Sequence, residues 1–415
     1  MRSGYPRWLS GLILPLLIVL LAGLGFANYR FALQAPGGND FLPRWVGAHL
    51  WLTEGVNPYD GRVSLAAQEM IYGRPADRSA GEDVAHFVYP LPAMLFFAPF
   101  GLLPYPLARA LWMTLLEIAL PVLAFVGVRL TRWKPRPALL AALLLFSVLW
   151  YHGLRSVVVG QFAVVEALLM AAALLAIQRR EDFLAGILLA LSVAKPQMAF
   201  LLIPFVVVWA GRSRRWVLIA SAIVSFVVLV GVSLLLVPAW PLLWLRQVAD
   251  YPAYTALGSP VSILAGIIPA ASRWITIALT GLMVGYGLWE WALATPNDDR
   301  KFQWAAQLTI VITSLVAFRT ATTNYVVMLP ALCLIFAVPS ERIGRRSALG
   351  VVVAVLLLGV GLWGLFLATV EGNVESAAMY LPVPILALVG LWWVRWWARR
   401  EPRLLLEDAT HPRAS

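Results

Sequence analysis

Long apolar segments recur along almost the whole chain and constrain its fold more than any other feature. There are about twelve, and several fall short of the ~20 residues that a helix needs to cross a ~30 Å hydrocarbon core. The shorter ones are expected to be tilted or half-inserted. The pattern predicts an all-α, polytopic transmembrane helical protein with about 12 spans. The segments lie at residues 8–28, 105–128, 137–151, 162–177, 183–194, 196–210, 216–237, 272–294, 304–319, 324–339, 347–369 and 381–398.

The first apolar segment follows Arg2 and Arg7 and is longer than the roughly 7–15 apolar residues of a signal peptide. We therefore expect a retained membrane anchor. The alternative is removal of this segment, because Gly25-Phe26-Ala27 has the small-x-small form of a cleavage site.

The composition excludes several classes of protein. The chain is 61% hydrophobic and 13% charged, whereas ordinary globular chains are about 45–50% apolar and about 25% charged. Too few polar residues remain to cover a water-facing surface, so soluble enzymes and disordered chains are excluded. The net charge of +11 does not form a basic stripe with interleaved aromatic residues, so no nucleic-acid partner is expected. The single cysteine, Cys333, is predicted to be a core residue.

The distribution of Lys and Arg predicts the orientation. With the N-terminus inside, most of the 32 basic residues fall in inside loops, as in the clusters at 129–136 and 212–215. This predicts a multi-pass protein of the inner (plasma) membrane with both termini in the cytoplasm. The same count predicts a hairpin turning at Lys195-Pro196. It also places residues 91–103 along the outer interface as a short broken helix, since one more crossing would export the first cluster.

These assignments predict a single transmembrane domain over residues 1–398 and a polar cytoplasmic tail over 399–415. Two large loops are expected on the outer side, at 29–105 and 238–271. Short outer tips are expected at 152–161, 195 and 319–324.

Asp40 lies about a dozen residues after the first apolar segment, at the level of the outer headgroups. A carboxylate there can accept a proton from an acceptor hydroxyl, and a positioned base typically contributes ~10²–10⁴-fold in rate. The alternative is an interfacial Asp that caps a helix starting near Leu42-Pro43.

Three cations are predicted at the outer ends of spans: Arg155, Lys195 and Arg319. Such groups suit a lipid-linked phosphate, which they could bind and stabilise as a leaving group. The alternative for each is snorkelling to ordinary membrane lipid headgroups.

The remaining ionisable residues give weaker signals. His49, His86 and His152 have no metal-ligand spacing, so no metal site is expected. Glu117 and Glu166 lie within apolar segments, where a charge costs at least ~2.5 kcal/mol. They are expected to face a cavity, to pair with an Arg or to stay protonated.

Ordered short motifs between about residues 38 and 330 resemble glycosyltransferase family 87. They are Asp40-Phe41, Glu54-Gly55-Val56-Asn57-Pro58-Tyr59-Asp60, Phe87-Val88-Tyr89-Pro90, Gly160-Gln161 and Lys195-Pro196-Gln197. The resemblance implies the GT-C fold, a polyprenyl-phosphate sugar donor, often of mannose or arabinofuranose, and an extracytoplasmic active site. It also implies that Asp40 is the catalytic base of an inverting displacement, in which phosphate departs without a general acid. No cofactor is expected.

The resemblance also suggests residues around the substrate. A turn at Asn57-Pro58-Tyr59 would shape the first outer loop, Gln161 would hydrogen-bond sugar or phosphate, and His49, Tyr89 and His152 would line the cavity. The implied acceptor is a glycolipid or glycan. Two departures leave the sugar open: Leu91 separates Pro90 from Pro92, and the later outer loops contain no histidine.

Two other classes of function remain open at this stage. A transporter or flippase of a phosphate-bearing lipid or sugar-lipid would use the same outer cations, although the paired inverted repeats of many transporters are not evident. A non-catalytic membrane assembly subunit is the third possibility, and it would not need Asp40.

Overall fold

The fold is known from a computed structural model that describes residues 7–35, 40–253, 258–296, 298–318, 320–343, 345–372 and 375–399. These residues form helices and connecting loops, with no strand among them. The α-helices are α1 (Arg7–Gln34), α2 (Leu42–Glu54), α3 (Gly61–Tyr72), α4 (Met94–Gly101), α5 (Tyr105–Leu130), α6 (Pro137–Leu149), α7 (Tyr151–Val159), α8 (Ala163–Gln178), α9 (Asp182–Leu191), α10 (Pro196–Ala199), α11 (Leu202–Arg212), α12 (Trp216–Leu236), α13 (Trp240–Asp250), α14 (Pro260–Ala265), α15 (Ser272–Leu293), α16 (Asp299–Val316), α17 (Leu329–Ile343), α18 (Arg345–Thr369), α19 (Pro382–Trp393) and α20 (Arg395–Arg399).

Short 3₁₀ helices connect several of these elements. Proline stands in the first turn of α5, α6, α10 and α19, where its missing N–H is one of the groups that a helix start leaves unpaired. The prolines are thereby compatible with the starts of these helices. The 3₁₀ helices are Arg78–Ala80, Leu91–Ala93, Ser192–Ala194, Tyr251–Ala253, Pro269–Ala271, Thr322–Met328 and Ala377–Tyr380.

Five described helices are long and apolar enough to cross a bilayer, and α6 with α7 adds a sixth candidate that is bent by 47°. Shorter apolar helices accompany them, among them α8 and α11. The prediction of an all-α, polytopic membrane protein is therefore confirmed. The number of about twelve spans remains a prediction. The five helices are Leu14–Gln34, Tyr105–Leu130, Trp216–Leu236, Thr322–Ser340 and Leu349–Thr369.

The helices divide into an inner group and an outer group. α5, α8, α16 and α17 each supply several residues of the buried core, in which Cys333 lies as predicted. α1, α12 and α18 instead expose large apolar side chains; Leu235, for example, is 85% exposed. Contiguous apolar surface of this kind is typical of contact with lipid.

The acidic residues that the sequence places within apolar segments have different surroundings. Glu117 on α5 accepts a hydrogen bond of 2.7 Å from Asn28 Nδ2 on α1. Glu290 at the end of α15 pairs with Arg395 and Arg399 of α20. Glu166 on α8 is fully buried, and neither of its carboxylate oxygens has a hydrogen-bond partner.

The connection between α1 and α5 folds into a compact cap built from α2, α3 and α4. As predicted, residues 91–103 form a broken helix, the 3₁₀ turn Leu91–Ala93 followed by α4. α4 packs closely on α2, because a Cβ on Gly101 would lie 2.9 Å from the backbone carbon of Ala48. The Trp45 indole of α2 also donates to the carbonyls of Phe100 and Leu103. This rigid cap positions the residues at the start of α2.

Candidate active site

A polar cavity of about 420 Å³ lies where the cap meets the ends of several core helices. Its walls come from parts of the chain that are far apart in sequence: the start of α2, the segment before α4, the start of α8, the turn before α10, α13, and the start of the 3₁₀ helix 322–328. Its charged and amide-bearing lining residues are Asp40, Arg44, Asp83, Gln161, Lys195, Gln197 and Asn324.

Asp40 is held at the cavity wall by its own backbone and by the residue that follows it. Its backbone N–H donates to the carbonyl of Val159 at 2.7 Å. The next residue, Phe41, is fully buried and stacks on Trp112 with 5.2 Å between ring centroids. Phe41, the residue before α2, provides no side-chain cap, and the Asp40 carboxylate instead accepts a hydrogen bond across the cavity wall. The helix-capping alternative is therefore not what the structure shows.

That hydrogen bond comes from Gln161. Its Nε2 donates to Asp40 Oδ2 at 2.7 Å and to Thr323 Oγ1 at 3.2 Å, while its Oε1 accepts from Lys195 Nζ at 2.6 Å and from the Tyr89 hydroxyl at 3.3 Å. The amide oxygen thus serves Lys195 and Tyr89, and the amide nitrogen serves Asp40 and Thr323. Gln161 fixes the distance between a carboxylate and an ammonium group.

Lys195 lies in the turn between α9 and α10 and is only 3% exposed; the hairpin of two spans stays a prediction. Burial lowers the pKa of Lys195 to about 7, although the negative charge of Asp40 opposes this. The ammonium group also lies 5.9 Å from the centroid of the Tyr89 ring. Burial raises the pKa of the Tyr89 hydroxyl, so this tyrosine stays a neutral hydrogen-bond donor.

Two charged residues of the cavity, Arg44 and Asp83, were not predicted from the sequence. Arg44 lies in the first turn of α2, four residues after Asp40, and its guanidinium carbon is 4.8 Å from the centroid of the Tyr89 ring. Its closeness to Asp40 in the sequence would have pointed to it. Asp83 comes from an irregular segment, so no periodic signal marks it. Arg44 attracts both Asp40 and Asp83 electrostatically.

Of the three predicted cations, the structure brings Lys195 to Asp40 and places Arg155 elsewhere. Arg155 Nε lies 4.0 Å from Glu375 Oε2, and its guanidinium lies against the rings of Tyr151 and Phe366. Arg155 does not line the polar cavity. Arg319 lies outside the described residues, between two cavity-lining positions, Phe318 and Ala321.

The predicted substrate-contacting residues divide in the same way. Tyr89 and Gln161 line the cavity, whereas His49, Asn57, Tyr59 and His152 do not. His49 Nδ1 lies 2.8 Å from the Gly101 carbonyl oxygen and its ring stacks on Trp45. His152 is buried against aromatic rings, among them Tyr325.

Asn57 and Tyr59 act on the cavity indirectly. The Asn57 side chain accepts from the Tyr59 backbone N–H at 3.0 Å, which makes the predicted turn. The Tyr59 hydroxyl then donates to the Tyr89 carbonyl at 2.7 Å. These two residues position Tyr89. Among the described residues, no group of three or more His, Cys, Asp or Glu side chains could hold a metal ion, and the absence of a metal stays a prediction.

The fold and the cavity together define a class: a polytopic helical membrane protein with a carboxylate and a buried lysine joined by one glutamine. Residues 87–251 match the sequence model of glycosyltransferase family 87. The resemblance that the motifs indicate is thereby confirmed over these residues, which include Tyr89, Gln161 and Lys195. Asp40 and Arg44 precede the matched region.

A curated relative is similar over a larger part of the chain. It is the polyprenol-phosphate-mannose-dependent alpha-(1-2)-phosphatidylinositol pentamannoside mannosyltransferase of Mycobacterium tuberculosis (strain CDC 1551 / Oshkosh), which is 30% identical over 224 residues. The alignment covers 54% of this chain, and it spans only about half of the relative, 47%. No solved structure matches the chain.

Proposed function

We propose that this protein is an inverting glycosyltransferase that moves a sugar from a polyprenyl-phosphate donor to a glycolipid or glycan acceptor. The observation that carries the proposal is the hydrogen-bonded series Lys195, Gln161, Asp40 at the wall of one cavity. The series provides a base for an acceptor hydroxyl and a cation for a departing phosphate, and it holds both in fixed positions. The match to glycosyltransferase family 87 supports the same chemistry.

In the proposed reaction Asp40 takes the proton of the acceptor hydroxyl as the new glycosidic bond forms. The bond between the anomeric carbon and the phosphate oxygen breaks on the opposite face, and both electrons leave with the phosphate. Lys195 and Arg44 stabilise the charge on this leaving group, as preorganised cations do in a cavity with little water. Arg319 is proposed as a further cation that binds this phosphate. Arg155 lies beside Glu375 and outside the cavity lining, so the phosphate site proposed here does not include it.

The donor class proposed here is mannosyl or arabinofuranosyl polyprenyl phosphate. The name of the mycobacterial relative favours the mannosyl donor and a glycolipid acceptor. We further propose that the protein lies in the inner (plasma) membrane with cytoplasmic termini, so that the cavity opens on the extracytoplasmic side. The positive-inside distribution of Lys and Arg supports this orientation.

A donor screen tests the proposal. Purified protein in lipid nanodiscs would be supplied with polyprenyl-phosphate mannose, polyprenyl-phosphate arabinofuranose and the nucleotide forms of hexoses, together with extracted membrane glycolipids. We expect transfer from one of the polyprenyl-phosphate donors and none from the nucleotide sugars. Transfer from nucleotide sugars alone would contradict the assignment.

A further inference from the structure

Asp83 is a second carboxylate in the polar cavity, and the proposed reaction does not use it. It lines the same space as Asp40 and Arg44, and the residue as a whole is exposed. It belongs to the irregular segment 81–90, which connects the 3₁₀ turn Arg78–Ala80 with the one at Leu91–Ala93.

The segment that carries Asp83 is held from both sides. The Tyr72 hydroxyl accepts from the Asp83 backbone N–H at 3.1 Å and lies 3.3 Å from its carbonyl oxygen. Gln68 Nε2 donates to the carbonyl of Val84 at 2.8 Å. Farther along, the backbone N–H of Val88 donates to Gln247 Oε1 at 3.0 Å.

Backbone strain shows that this conformation is specifically maintained. Ala85 and Val88 have φ of +51° and +53°, in the left-handed region that non-glycine residues rarely adopt and that costs of order 1–3 kcal/mol per residue. Such strain persists only where the surrounding contacts hold it. The side chains that anchor this segment hold its backbone, and the Ala85 backbone N–H donates to Asp83 Oδ1, so the orientation of the Asp83 carboxylate is set before any ligand binds.

The charges decide which part of a substrate Asp83 can contact. Lys195 attracts Asp40, and Arg44 attracts both Asp40 and Asp83. A phosphate would therefore sit against the two cations, and a carboxylate would repel it. An ionised carboxylate only accepts hydrogen bonds, so Asp83 requires donors. The hydroxyl groups of a sugar ring attached to that phosphate are such donors.

We propose that Asp83 is a specificity-determining residue that binds hydroxyl groups of the transferred sugar, next to the phosphate that Arg44 and Lys195 hold. The inference rests on the proposed glycosyl transfer and adds to it the residue that determines specificity for the sugar. Asp83 Oδ1 accepts from the Ala85 backbone N–H at 2.8 Å, which leaves its Oδ2 lone pairs to be offered to the ring. The aromatic side chains of Trp244 and Tyr89 border the same cavity and can cover the apolar face of a sugar.

The test combines a substitution with removal of single hydroxyls from the donor. Asp83→Asn keeps an oxygen for the Ala85 N–H but loses the charge and one acceptor function. For wild type, we expect one monodeoxy form of the donor to lose about 10- to 100-fold in kcat/KM, since a site built for a hydroxyl rejects the analogue that lacks it. For Asp83→Asn, kcat/KM for the intact donor should fall by a similar factor, mainly because KM rises. Removal of the same hydroxyl from the donor should then lower kcat/KM little further.

A purely structural role would give a different pattern. The losses from Asp83→Asn and from each deoxygenation would then multiply for every hydroxyl, because independent effects are additive in free energy, and this result would overturn the inference. Asp60→Asn, at the exposed start of α3, serves as the control and should keep wild-type discrimination. If wild type transfers from none of the polyprenyl-phosphate donors, the proposed function itself fails; if it transfers and the effects multiply, only the role of Asp83 fails.

Discussion

At the scale of single residues, the candidate site depends on how the Gln161 amide is shared. The Gln161 side chain accepts a hydrogen bond from Lys195 through its oxygen and donates one to Asp40 through its nitrogen. Gln161 is 5% exposed. A buried amide with all of these partners has a single favourable orientation. Removing it would leave the carboxylate and the ammonium group without their common partner.

The charge of Lys195 gives a prediction on pH. Burial lowers its pKa to about 7, so the phosphate-binding cation is present below this pH and is lost as the pH rises through it. kcat/KM for the donor, which reports the ionisation of the free enzyme, should therefore fall above pH 7. Lys195→Arg should remove this decline, because Arg stays charged throughout.

A rate profile from pH 6 to 9 for both proteins checks the prediction. A flat wild-type profile, or a decline that persists in Lys195→Arg, would argue against the cationic role of Lys195.

At the scale of elements, the junction between α7 and α8 positions Asp40. Gly160 ends α7 with φ of +70°, its carbonyl accepts from the Trp112 indole at 2.9 Å, and a Cβ here would lie 2.6 Å from Phe41 Cβ. A side chain at this position is therefore both strained and obstructed. The glycine lets the α7–α8 turn approach the residue that follows Asp40.

We predict that Gly160→Ala lowers the transfer rate at least tenfold, because Phe41 and with it Asp40 must shift, and that it lowers stability by about 1–3 kcal/mol. The matched control is Gly281→Ala within α15, where a Cβ meets nothing within 4 Å and alanine favours the helix. Thermal unfolding and transfer rates of the two variants check this. Equal behaviour of the two variants would show that the turn does not position the site.

The 3₁₀ helix 322–328 is held to the rest of the bundle by Glu375. The Glu375 carboxylate accepts from the hydroxyls of Thr322 and Tyr151, at 2.6 Å and 2.7 Å, and the neighbouring Thr323 accepts from Gln161. We predict that Glu375→Ala lowers kcat severalfold without removing donor binding, since it loosens one wall of the site.

Donor affinity and single-turnover rate, measured separately, check that prediction. Arg155→Ala should reproduce a milder form of the same effect if Arg155 acts through Glu375. A large loss of donor affinity in Arg155→Ala alone would instead return Arg155 to the phosphate site.

At the scale of the whole molecule, the apolar segments predicted the helical architecture, because spanning helices must be long and apolar whatever they pack against. Short motifs also predicted Asp40, Tyr89, Gln161 and Lys195 as residues of interest. The sequence could not show which of them meet. Arg155 and Lys195 both follow apolar segments at the same predicted depth. Only tertiary packing determines that Arg155 lies beside Glu375 and that Lys195 donates to Gln161. Asp83 was missed because irregular segments have no period.

The orientation of the bundle is also testable at this scale. Because Cys333 is the single cysteine, a Cys333→Ala protein can carry one new cysteine at a chosen surface. We predict that a membrane-impermeant maleimide labels Arg78→Cys in intact cells and labels Arg179→Cys only after permeabilisation. Both positions are exposed. The reverse pattern would place the polar cavity on the cytoplasmic side.

The proposed function requires Asp40 to act as the general base, and the single-turnover rate of Asp40→Asn is the sharpest test of that role. With polyprenyl-phosphate donor bound in nanodiscs, we predict a fall in sugar transfer of about 10²–10⁴-fold, while donor affinity and the Gln161 and Lys195 contacts are retained. Asp60→Asn should transfer at the wild-type rate. Sugar transfer by Asp40→Asn at the wild-type rate would show that Asp40 is not the general base.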